Sequence, residues 1–487
     1  MTRLDPLTAP SLPASVVQPK YDRAQVKTGV VHLGLGAFHK AHQAVVYEAA
    51  LDSGDLRWGV LGASLRSRGV RDQLSPQGSL YTVTVRDGAD EQTRLIGALQ
   101  GVLVAPEDSA RLVEAMAAAD THIVTLTVTE KGYKLDPAAG ALIHDDPELA
   151  SDLKSLDKPK TAPGFIVAAL AQRRAAGLKP FTTISCDNLP HNGTRLREAV
   201  LALAAHHDAD LRDWIETEAT FPETMVDRIV PATEEADIGA LEARIGLADR
   251  AMVKTEPFTQ WVIEDKFVGE RPDFERFGVQ LTDAVAPWEA AKLRMLNGAH
   301  SGIAYLGGLA GIEFVHEFVA LPAGGAFVEA LWDEAQETLS PPPGLDLAAY
   351  RVALMQRFVN SALNHRTRQI AMDGSQKLPQ RLLDPIMKRL DQGKSVDTLA
   401  LAVAAWMRWQ EGADDSGTSF VVDDPLAPRT AGCANLTAGG AVAGLLAIDA
   451  IFPLSLAEHE GFRKTLTSAL ATLRNKGARA TIEDRFG

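Results

Sequence analysis

Cysteine is scarce in this sequence: the 487 residues contain only Cys186 and Cys433. Two cysteines cannot build a disulfide framework, and no Cys-x-x-Cys pair is present for redox or metal chemistry. A chain with so little cysteine fits a reducing compartment. We therefore predict a cytoplasmic protein.

Basic charge and long apolar runs are also limited. Lys and Arg total 49 against 63 for Asp and Glu, which leaves a formal net charge of −14. Such a surface repels phosphate backbones and anionic lipids, so we expect no nucleic-acid or membrane partner. The first residues have no apolar core of signal-peptide length. The most apolar late stretch, 438–448, is about half a bilayer span and is interpreted as a buried helix.

What the chain does have is an alternation of strand-like and helix-like segments. Apolar, β-branched runs are followed by segments of helical spacing, which is typical of a doubly wound, mostly parallel sheet. The predicted strands read GVVHLGLG, WGVLGASL, LYTVTVRDG, HIVTLTVTEKG and FTTISCDN. After about residue 287 long helical segments dominate. We predict an α/β protein: a Rossmann-like dinucleotide-binding domain over 1–286 and a mainly α-helical substrate and catalytic domain over 287–487.

A glycine turn follows the first predicted strand. Gly34 and Gly36 stand in VVHLGLGAFHKAH, and His39 occupies the position of a third glycine. In a dinucleotide fingerprint the first glycine allows a tight turn and the second lets the backbone approach a pyrophosphate. The N–H groups at the start of the next helix, at Ala37 and Phe38, would complete the anion site. The turn predicts a bound dinucleotide.

The second predicted strand ends in SLRSRG, without the carboxylate that usually holds the adenosine ribose. Arg66 and Arg68 stand there instead. These arginines are compatible with NAD held without the acid, with some acceptance of the 2′-phosphate of NADP, or with two solvated side chains. NAD is therefore the predicted cofactor, and NADP remains open.

Three histidines near the glycine turn, His32, His39 and His42, suggest a metal cluster at first sight. No cysteine accompanies them, and His32 lies inside the predicted strand. We therefore predict no metal site.

The stretch KLRMLNGAHSGIAYLG places Lys292, Asn297 and His300 on an apolar, helix-like segment. At about 100° per residue, Asn297 lies about 140° from Lys292 and His300 falls between them. Each residue alone is compatible with a solvated or structural role. Together they suggest a base and two oxygen-holding donors, which suit an alcohol dehydrogenase without metal. Glu289, three residues before Lys292, is a candidate proton relay or ion-pair partner.

At this point the chain resembles a known family, the polyol-specific long-chain dehydrogenases of the mannitol dehydrogenase type. The resemblance runs from about residue 29 to the C-terminus. It rests on HLGLGAFHKAHQA, LTVTEKGY, SCDNLPHNG, FPETMVDRIVP, EPFTQWVIEDKF, KLRMLNGAHS and HRTRQIAMDGSQKLPQRLLDP. The resemblance implies a metal-free, NAD-dependent oxidoreductase that acts on a small molecule as a monomer.

The family's motifs also imply residue roles. The K-x4-N-G-x-H motif falls on Lys292 as general base and on Asn297 and His300 as oxygen-holding residues. The C-D-N and D-G-S-x-K motifs imply substrate contacts at Asn188 and Lys377. Glu289 corresponds to a residue implicated in proton release.

Within the family, TVTEKGY and the HRTRQIAMDGSQKLPQR block look closest to the fructuronate reductases (D-mannonate oxidoreductases). A mannonate carboxylate needs cationic partners, and this block offers Arg366, Arg368, Lys377 and Arg381. Arg366 and Arg381 are taken as candidate substrate ligands. Arg368 stands where the subgroup is expected to have Trp, which leaves the substrate open.

Two alternative functions are also compatible with the sequence. The first, in the same class, is oxidation of mannitol or another polyol. The second, in a different class, is a nucleotide-binding sensor without catalysis. Glu130, at the end of the fourth predicted strand, either borders the cofactor or has a structural role.

Overall fold

The computed structural model describes residues 2–136, 140–433 and 436–487. The chain forms two compact units, Met1–Ala286 and Pro287–Gly487. Each unit is described by itself below.

The first unit contains twelve described strands in three sheets. The strands are β1 (Val16–Val17), β2 (Thr28–Leu33), β3 (Gly59–Ser64), β4 (Tyr81–Asp87), β5 (Asp90–Ile96), β6 (Leu99–Val104), β7 (Ile123–Leu126), β8 (Thr182–Ser185), β9 (Thr224–Asp227), β10 (Val253–Thr255), β11 (Gln260–Glu264) and β12 (Gln280–Thr282). The helices of this unit are α1 (Ala37–Ala41), α2 (Gln43–Asp52), α3 (Gly69–Leu74), α4 (Ala105–Ala117), α5 (Pro147–Lys154), α6 (Ala162–Ala175), α7 (Asn192–His207), α8 (Ala209–Glu218) and α9 (Glu235–Ile245).

The central sheet is parallel and has the order β6-β3-β2-β7-β8. The chain therefore moves outward from β2 in one direction and then returns to its other side at β7. Alternate residues of β2 enter two separate cores: Val31 and Leu33 pack in the core that holds Phe165 of α6, whereas Val30 packs with Tyr47 of α2. The predicted doubly wound sheet is confirmed.

A second sheet was not predicted. LYTVTVRDG forms β4, which pairs antiparallel with β5 in a sheet of order β1-β5-β4-β10 and does not join the central sheet. The reversal lies at Gly88, whose φ is +58°. An Asp-Gly dipeptide between two extended runs is a hairpin signal. β5 was not predicted as a strand because its residues are mostly polar.

The helix expected after the glycine turn is interrupted. α1 ends at Ala41, His42 has non-helical dihedrals (φ −119°, ψ −84°), and α2 starts at Gln43. Gly54 follows the end of α2 with a φ of +99°, a backbone conformation that is common just after a helix.

The second unit is helical, as predicted. Its α-helices are α10 (Ala286–Ala291), α11 (Gly298–Leu309), α12 (Val315–Ala320), α13 (Pro322–Gln336), α14 (Leu347–Val359), α15 (Thr367–Ala371), α16 (Gly374–Leu378), α17 (Asp384–Asp391), α18 (Asp397–Trp409), α19 (Ala427–Thr430), α20 (Ala438–Leu446), α21 (Leu454–Ala457) and α22 (Glu460–Phe486). Two π-helical segments, Lys292–Asn297 and Pro379–Leu383, interrupt the α-helical pattern. Within the described residues, no helix combines the length and the apolar character needed to cross a bilayer.

Candidate active site

In the first unit, the crevice between the ends of β2 and β7 lies where the strand order reverses. Ligands of open α/β sheets bind at this position. Gly34 follows β2 with a φ of +90°, and a Cβ atom added there would lie 2.2 Å from the carbonyl oxygen of Thr127. Gly36 is different, because its added Cβ would meet only the Gly34 oxygen at 3.8 Å. The fold itself therefore requires Gly34. At Gly36, the absence of a side chain leaves the backbone open to the approach of a ligand.

A cavity of about 340 Å³ opens at these strand ends. Its lining residues are Gly34, Leu35, Ser64, Leu65, Arg66, Ser67, Val70, Thr127, Val128, Thr129, Gly132, Lys134, Glu148, Lys160, Thr161 and Ala162. The lining combines the glycine turn, the end of β3 and the loop after β7. Backbone groups and small polar side chains at such an edge can hold a dinucleotide.

The predicted cofactor residues are placed unequally around this cavity. Gly34 and the exposed Arg66 line it. Ala37 is exposed at the start of α1, and the Phe38 ring stacks on His42 with centroids 5.0 Å apart. Glu130 is not among the lining residues. Its Oε1 accepts a hydrogen bond of 2.9 Å from Arg195 Nη1.

Asp187 shapes the loop after β7, and sequence reasoning missed it. Its carboxylate accepts hydrogen bonds from Thr129 N (2.8 Å), Val128 N (3.2 Å) and Tyr133 Oη (2.8 Å). Burial raises the pKa of Asp187, against the hydrogen bonds that it accepts. Asn188, the predicted substrate contact, is the exposed residue directly after this anchor. The sequence signal that could have identified Asp187 is its position next to Asn188 in SCDNLPHNG.

The three early histidines are engaged in hydrogen bonds and ring stacking. His32 is bonded through Nδ1 to Thr125 Oγ1 (2.8 Å) and through Nε2 to Thr127 Oγ1 (3.1 Å). The His39 ring stacks on His32 with centroids 3.6 Å apart, and His42 Nε2 lies 2.9 Å from the Gln260 oxygen. Over residues 2–136, 140–433 and 436–487, no group of three or more His, Cys, Asp or Glu side chains is arranged to hold a metal ion.

In the second unit, Lys292 and Asn297 are the first and last residues of a π-helical segment. The α-helical spacing assumed from the sequence is therefore wrong at this point. Hydrogen bonds in a π-helix join residues five apart, so Asn297 lies about one turn beyond Lys292 rather than about 140° away. His300 follows in the first turn of α11. The π-turn brings the three side chains closer to one face than a regular helix would.

Lys292 is only 7% exposed and His300 only 6%. Burial lowers the pKa of His300 well below its ordinary value, and the charges of His365, Arg357 and Arg381 lower it further. The imidazole is thus neutral at physiological pH. Its buried Nε2 has no hydrogen-bond partner within the described part of the chain. A neutral imidazole with a free nitrogen can donate to, or accept from, a substrate oxygen.

His365 lies beside His300, with ring centroids 5.1 Å apart, and was not predicted. Burial lowers its pKa to about 4, with the Arg357 charge as a further cause. Glu289 lies on α10, one turn before Lys292, and is half-buried.

The four cations of the HRTRQIAMDGSQKLPQR block have different partners. Arg366 is exposed, forms an ion pair with Glu313 and covers the Phe314 ring. Arg368 is also exposed, 4.0 Å from Asp414. These two arginines are already compensated by acidic neighbours.

Lys377 and Arg381 are less exposed than the two arginines above. Lys377 Nζ donates to the carbonyl oxygens of Met372 and Ile370. Arg381 Nη1 donates to Ser301 Oγ (3.2 Å) and to the Asn297 oxygen (3.4 Å). Neither cation forms an ion pair with any residue that the structure describes. Burial lowers the pKa of both, that of Arg381 to about 10.

Two family models account for most of the sequence. The mannitol dehydrogenase Rossmann domain matches residues 28–276, and the mannitol dehydrogenase C-terminal domain matches residues 284–474. The chain belongs to the mannitol dehydrogenase family. Membership of this family makes it a sugar or polyol dehydrogenase, as the resemblance implied.

Relatives within the family include enzymes named for different substrates. D-mannonate oxidoreductase of Escherichia coli (strain K12) is 44% identical over 474 residues, which cover 96% of this chain and 97% of that protein. Mannitol 2-dehydrogenase of Pyrenophora tritici-repentis is 38% identical over 477 residues, covering 96% and 84%. The solved Pseudomonas fluorescens mannitol 2-dehydrogenase, a ternary complex with NAD and D-mannitol, is 38% identical with a TM-score of 0.84, and 99% of each chain is covered.

Proposed function

We propose that this protein is an NAD-dependent dehydrogenase that interconverts D-mannonate and D-fructuronate. One observation carries the proposal: a buried lysine, an asparagine and a neutral histidine occupy one π-turn and the helix turn after it. This set offers a base and two groups for holding one oxygen, which is the equipment that alcohol oxidation without metal needs.

NAD fits the cavity of the first unit. Gly34, Gly36 and the N–H groups at Ala37 and Phe38 are the proposed pyrophosphate contacts, and Arg66 is the proposed adenosine-side contact. When bound, NAD supplies the nicotinamide that takes up or gives back the hydride. No lining residue at Ser64–Ser67 is a carboxylate, so the cavity holds no repulsion there against the 2′-phosphate of NADP.

In the oxidation direction, Lys292 takes the proton of the substrate hydroxyl as the carbon gives up its hydride and becomes a ketone. In the reverse direction, the Lys292 ammonium returns that proton to the oxygen. Asn297 and His300 hold the oxygen by hydrogen bonds that strengthen as negative charge develops on it. Glu289 is the proposed relay that carries the Lys292 proton away from the site.

The preference for a sugar acid rests on the charges near this helix. Lys377 and Arg381 are cations without an acidic partner among the described residues, whereas Arg366 has one. A carboxylate of the substrate would form the direct ion pair that Lys377 lacks, besides the longer-range attraction of Asp373, Asp423 and Asp424. We assign the carboxylate contact to Lys377 and a hydroxyl contact to Asn188. The 44% identity to D-mannonate oxidoreductase supports the same substrate.

Mannitol oxidation is the second candidate. It is favoured by the similarity, over 99% of the chain, to the mannitol 2-dehydrogenase solved with NAD and D-mannitol. The proposed catalytic residues serve either reaction, since both oxidise a secondary alcohol.

The deciding experiment follows nicotinamide absorbance with D-mannonate, D-altronate, D-mannitol, D-arabinitol and D-sorbitol, first with NAD and then with NADP. We expect kcat/KM for D-mannonate with NAD to exceed that for every polyol by at least about tenfold, the value of one lost charge contact. A preference for D-mannitol would remove the carboxylate argument and keep the catalytic helix. Inactivity with the whole panel would contradict the proposed function.

A further inference from the structure

The π-turn that carries Lys292 and Asn297 is hydrogen-bonded to three other parts of the second unit, twice as acceptor and once as donor. Trp332 Nε1, on α13, donates to the Met295 oxygen at 2.9 Å. Arg381 Nη1, on the second π-helical segment, donates to the Asn297 oxygen at 3.4 Å. Arg294, within the turn, donates to the Thr338 oxygen at 2.7 Å.

A π-turn is an unusual conformation that needs such support. Switching the bonding pattern from four residues to five and back leaves the backbone groups at its end in irregular geometry. Buried carbonyl groups must nevertheless find donors. At the end of this turn, the carbonyls of Met295 and Asn297 accept from an indole and a guanidinium, and the Met295 oxygen also accepts from the Gly298 N–H.

Trp332 is connected to the site in two ways. It is fully buried, so its N–H would lose stabilisation without the Met295 oxygen. Its ring also stacks on Phe358, with centroids 5.9 Å apart, and Phe358 in turn lies against the His300 ring at 4.8 Å. One side chain thus supports both the π-turn and the packing of the histidine.

Arg381 belongs to the other π-helical segment, Pro379–Leu383. Pro379 has no N–H to donate to the ladder of the preceding turn, which favours a change of bonding pattern there. Besides the Asn297 oxygen, the Arg381 guanidinium reaches Ser301 Oγ at 3.2 Å. It therefore bridges the end of the π-turn and the first turn of α11.

We propose that Trp332 and Arg381 are positioning residues that hold the Lys292–Asn297 turn in its π form, so that Lys292 and Asn297 face the same substrate oxygen. Relaxation of this turn to a regular α-helix would rotate the two side chains about 140° apart. The inference rests on the proposed function, because it assigns to the turn the proton transfer of a dehydrogenase. It also replaces the expectation that Arg381 is a substrate ligand.

The first test compares two tryptophans. Trp332→Phe removes the N–H donor and keeps an aromatic ring. Trp406→Phe is the matched control, because Trp406 is equally buried on α18 but its Nε1 has no hydrogen-bond partner among the described residues. We expect Trp332→Phe to lower kcat about tenfold or more and to shift the pH profile of kcat, with the Kd for NADH unchanged. Trp406→Phe should lower only the thermal midpoint.

If the two variants lower kcat equally and neither moves the pH profile, Trp332 has only a packing role and the inference fails for it. Wild-type inactivity on every substrate would instead contradict the proposed function, so the two failures are distinguishable.

The second test separates positioning from carboxylate binding at Arg381. We expect Arg381→Met to lower kcat by a similar factor with D-mannonate and with a polyol substrate, and Arg381→Lys, which keeps a donor, to restore part of it. A rise in KM confined to D-mannonate, with kcat retained, would make Arg381 a substrate ligand and overturn its positioning role.

Discussion

Two buried carboxylates of the first unit and two partly buried cations of the second unit differ in their hydrogen-bond partners. In the first unit, buried carboxylates are surrounded by donors: Asp249 accepts from Gln77 Nε2, Ala251 N and both Thr82 N and Oγ1, and Asp187 accepts from two loop N–H groups and a tyrosine. In the second unit, Lys377 and Arg381 donate to carbonyl and hydroxyl oxygens but pair with no described carboxylate.

The difference separates carboxylates that serve the fold from Lys377, the cation that we propose to bind a ligand, while Arg381 is assigned to positioning. A buried carboxylate that accepts several hydrogen bonds is a structural element, because its desolvation is offset within the protein. A partly buried cation without an anion is costly, and such groups cluster at functional sites. Cations that donate only to carbonyl oxygens also occur in the first unit, at Lys40 and Arg173, so this bonding by itself does not mark a substrate site.

The largest expected effect comes from removing the proposed base. Lys292→Ala should lower kcat by about 10²–10⁴, the usual contribution of general acid–base catalysis. Thermal unfolding should change little. The measurement is initial rate by nicotinamide absorbance, with Lys464→Ala on an exposed face of α22 as the control. Near wild-type activity of Lys292→Ala would contradict the mechanism.

In the first unit, stability and cofactor binding should be sensitive to a side chain added at a tightly packed glycine. Gly34→Ala and Gly54→Ala both place a side chain at positive φ, but only at Gly34 would the new Cβ meet a carbonyl oxygen, at 2.2 Å. We expect Gly54→Ala to cost about 1–2 kcal/mol of unfolding free energy and Gly34→Ala to cost clearly more and to weaken NADH binding. Denaturant unfolding and NADH fluorescence titration measure the two quantities. Equal effects would show that contact with the Thr127 oxygen is unimportant.

A smaller effect should distinguish the cations. Lys377→Met should raise KM for D-mannonate about tenfold, roughly the energy of one charge-assisted hydrogen bond, and change KM for D-mannitol little. Arg366→Met should change neither, because Arg366 is exposed and paired with Glu313. If Arg366→Met alone raises KM for D-mannonate, the carboxylate is held there, as the sequence had suggested.

The last effect concerns stability in acid rather than activity. The folded pKa of His365 is lowered to about 4, below the ordinary 6.5. Between about pH 6.5 and 4, His365 is protonated in the unfolded chain but neutral in the folded chain. The free energy of unfolding therefore falls as the pH drops through this range. His365→Gln should flatten this fall by up to about 1.4 kcal/mol per pH unit. Urea unfolding of both proteins at pH 7, 6, 5 and 4 measures the slope, and parallel curves would contradict the buried, neutral state.

Sequence reasoning succeeded where a local pattern has one structural outcome. The run GVVHLGLG predicted a buried strand and a glycine turn, and β2 followed by Gly34 at positive φ is what the structure contains. It failed where the outcome depends on distant partners. The parallel pairing of β4 with β10 and the Asp187 contacts to Thr129 join segments that lie far apart in the sequence and whose local patterns do not specify them.

The same distinction applies to the candidate site. The motif identified Lys292, Asn297 and His300 as a set, but it did not indicate how their side chains are arranged. A π-turn differs from an α-helix by a small shift in hydrogen bonding, and nothing in KLRMLN alone selects it. The donors that accompany it, Trp332 and Arg381, lie 37 and 84 residues along the chain from the carbonyls that they bond.

The sequence by itself determined the α/β and helical halves, the family and the chemical inventory, because periodicity and motif spacing are local properties of the chain. Only the tertiary structure decided which cations form ion pairs and in which direction Lys292 and Asn297 point. Those properties depend on burial and on donors brought from other elements, and both exist only once the chain is packed.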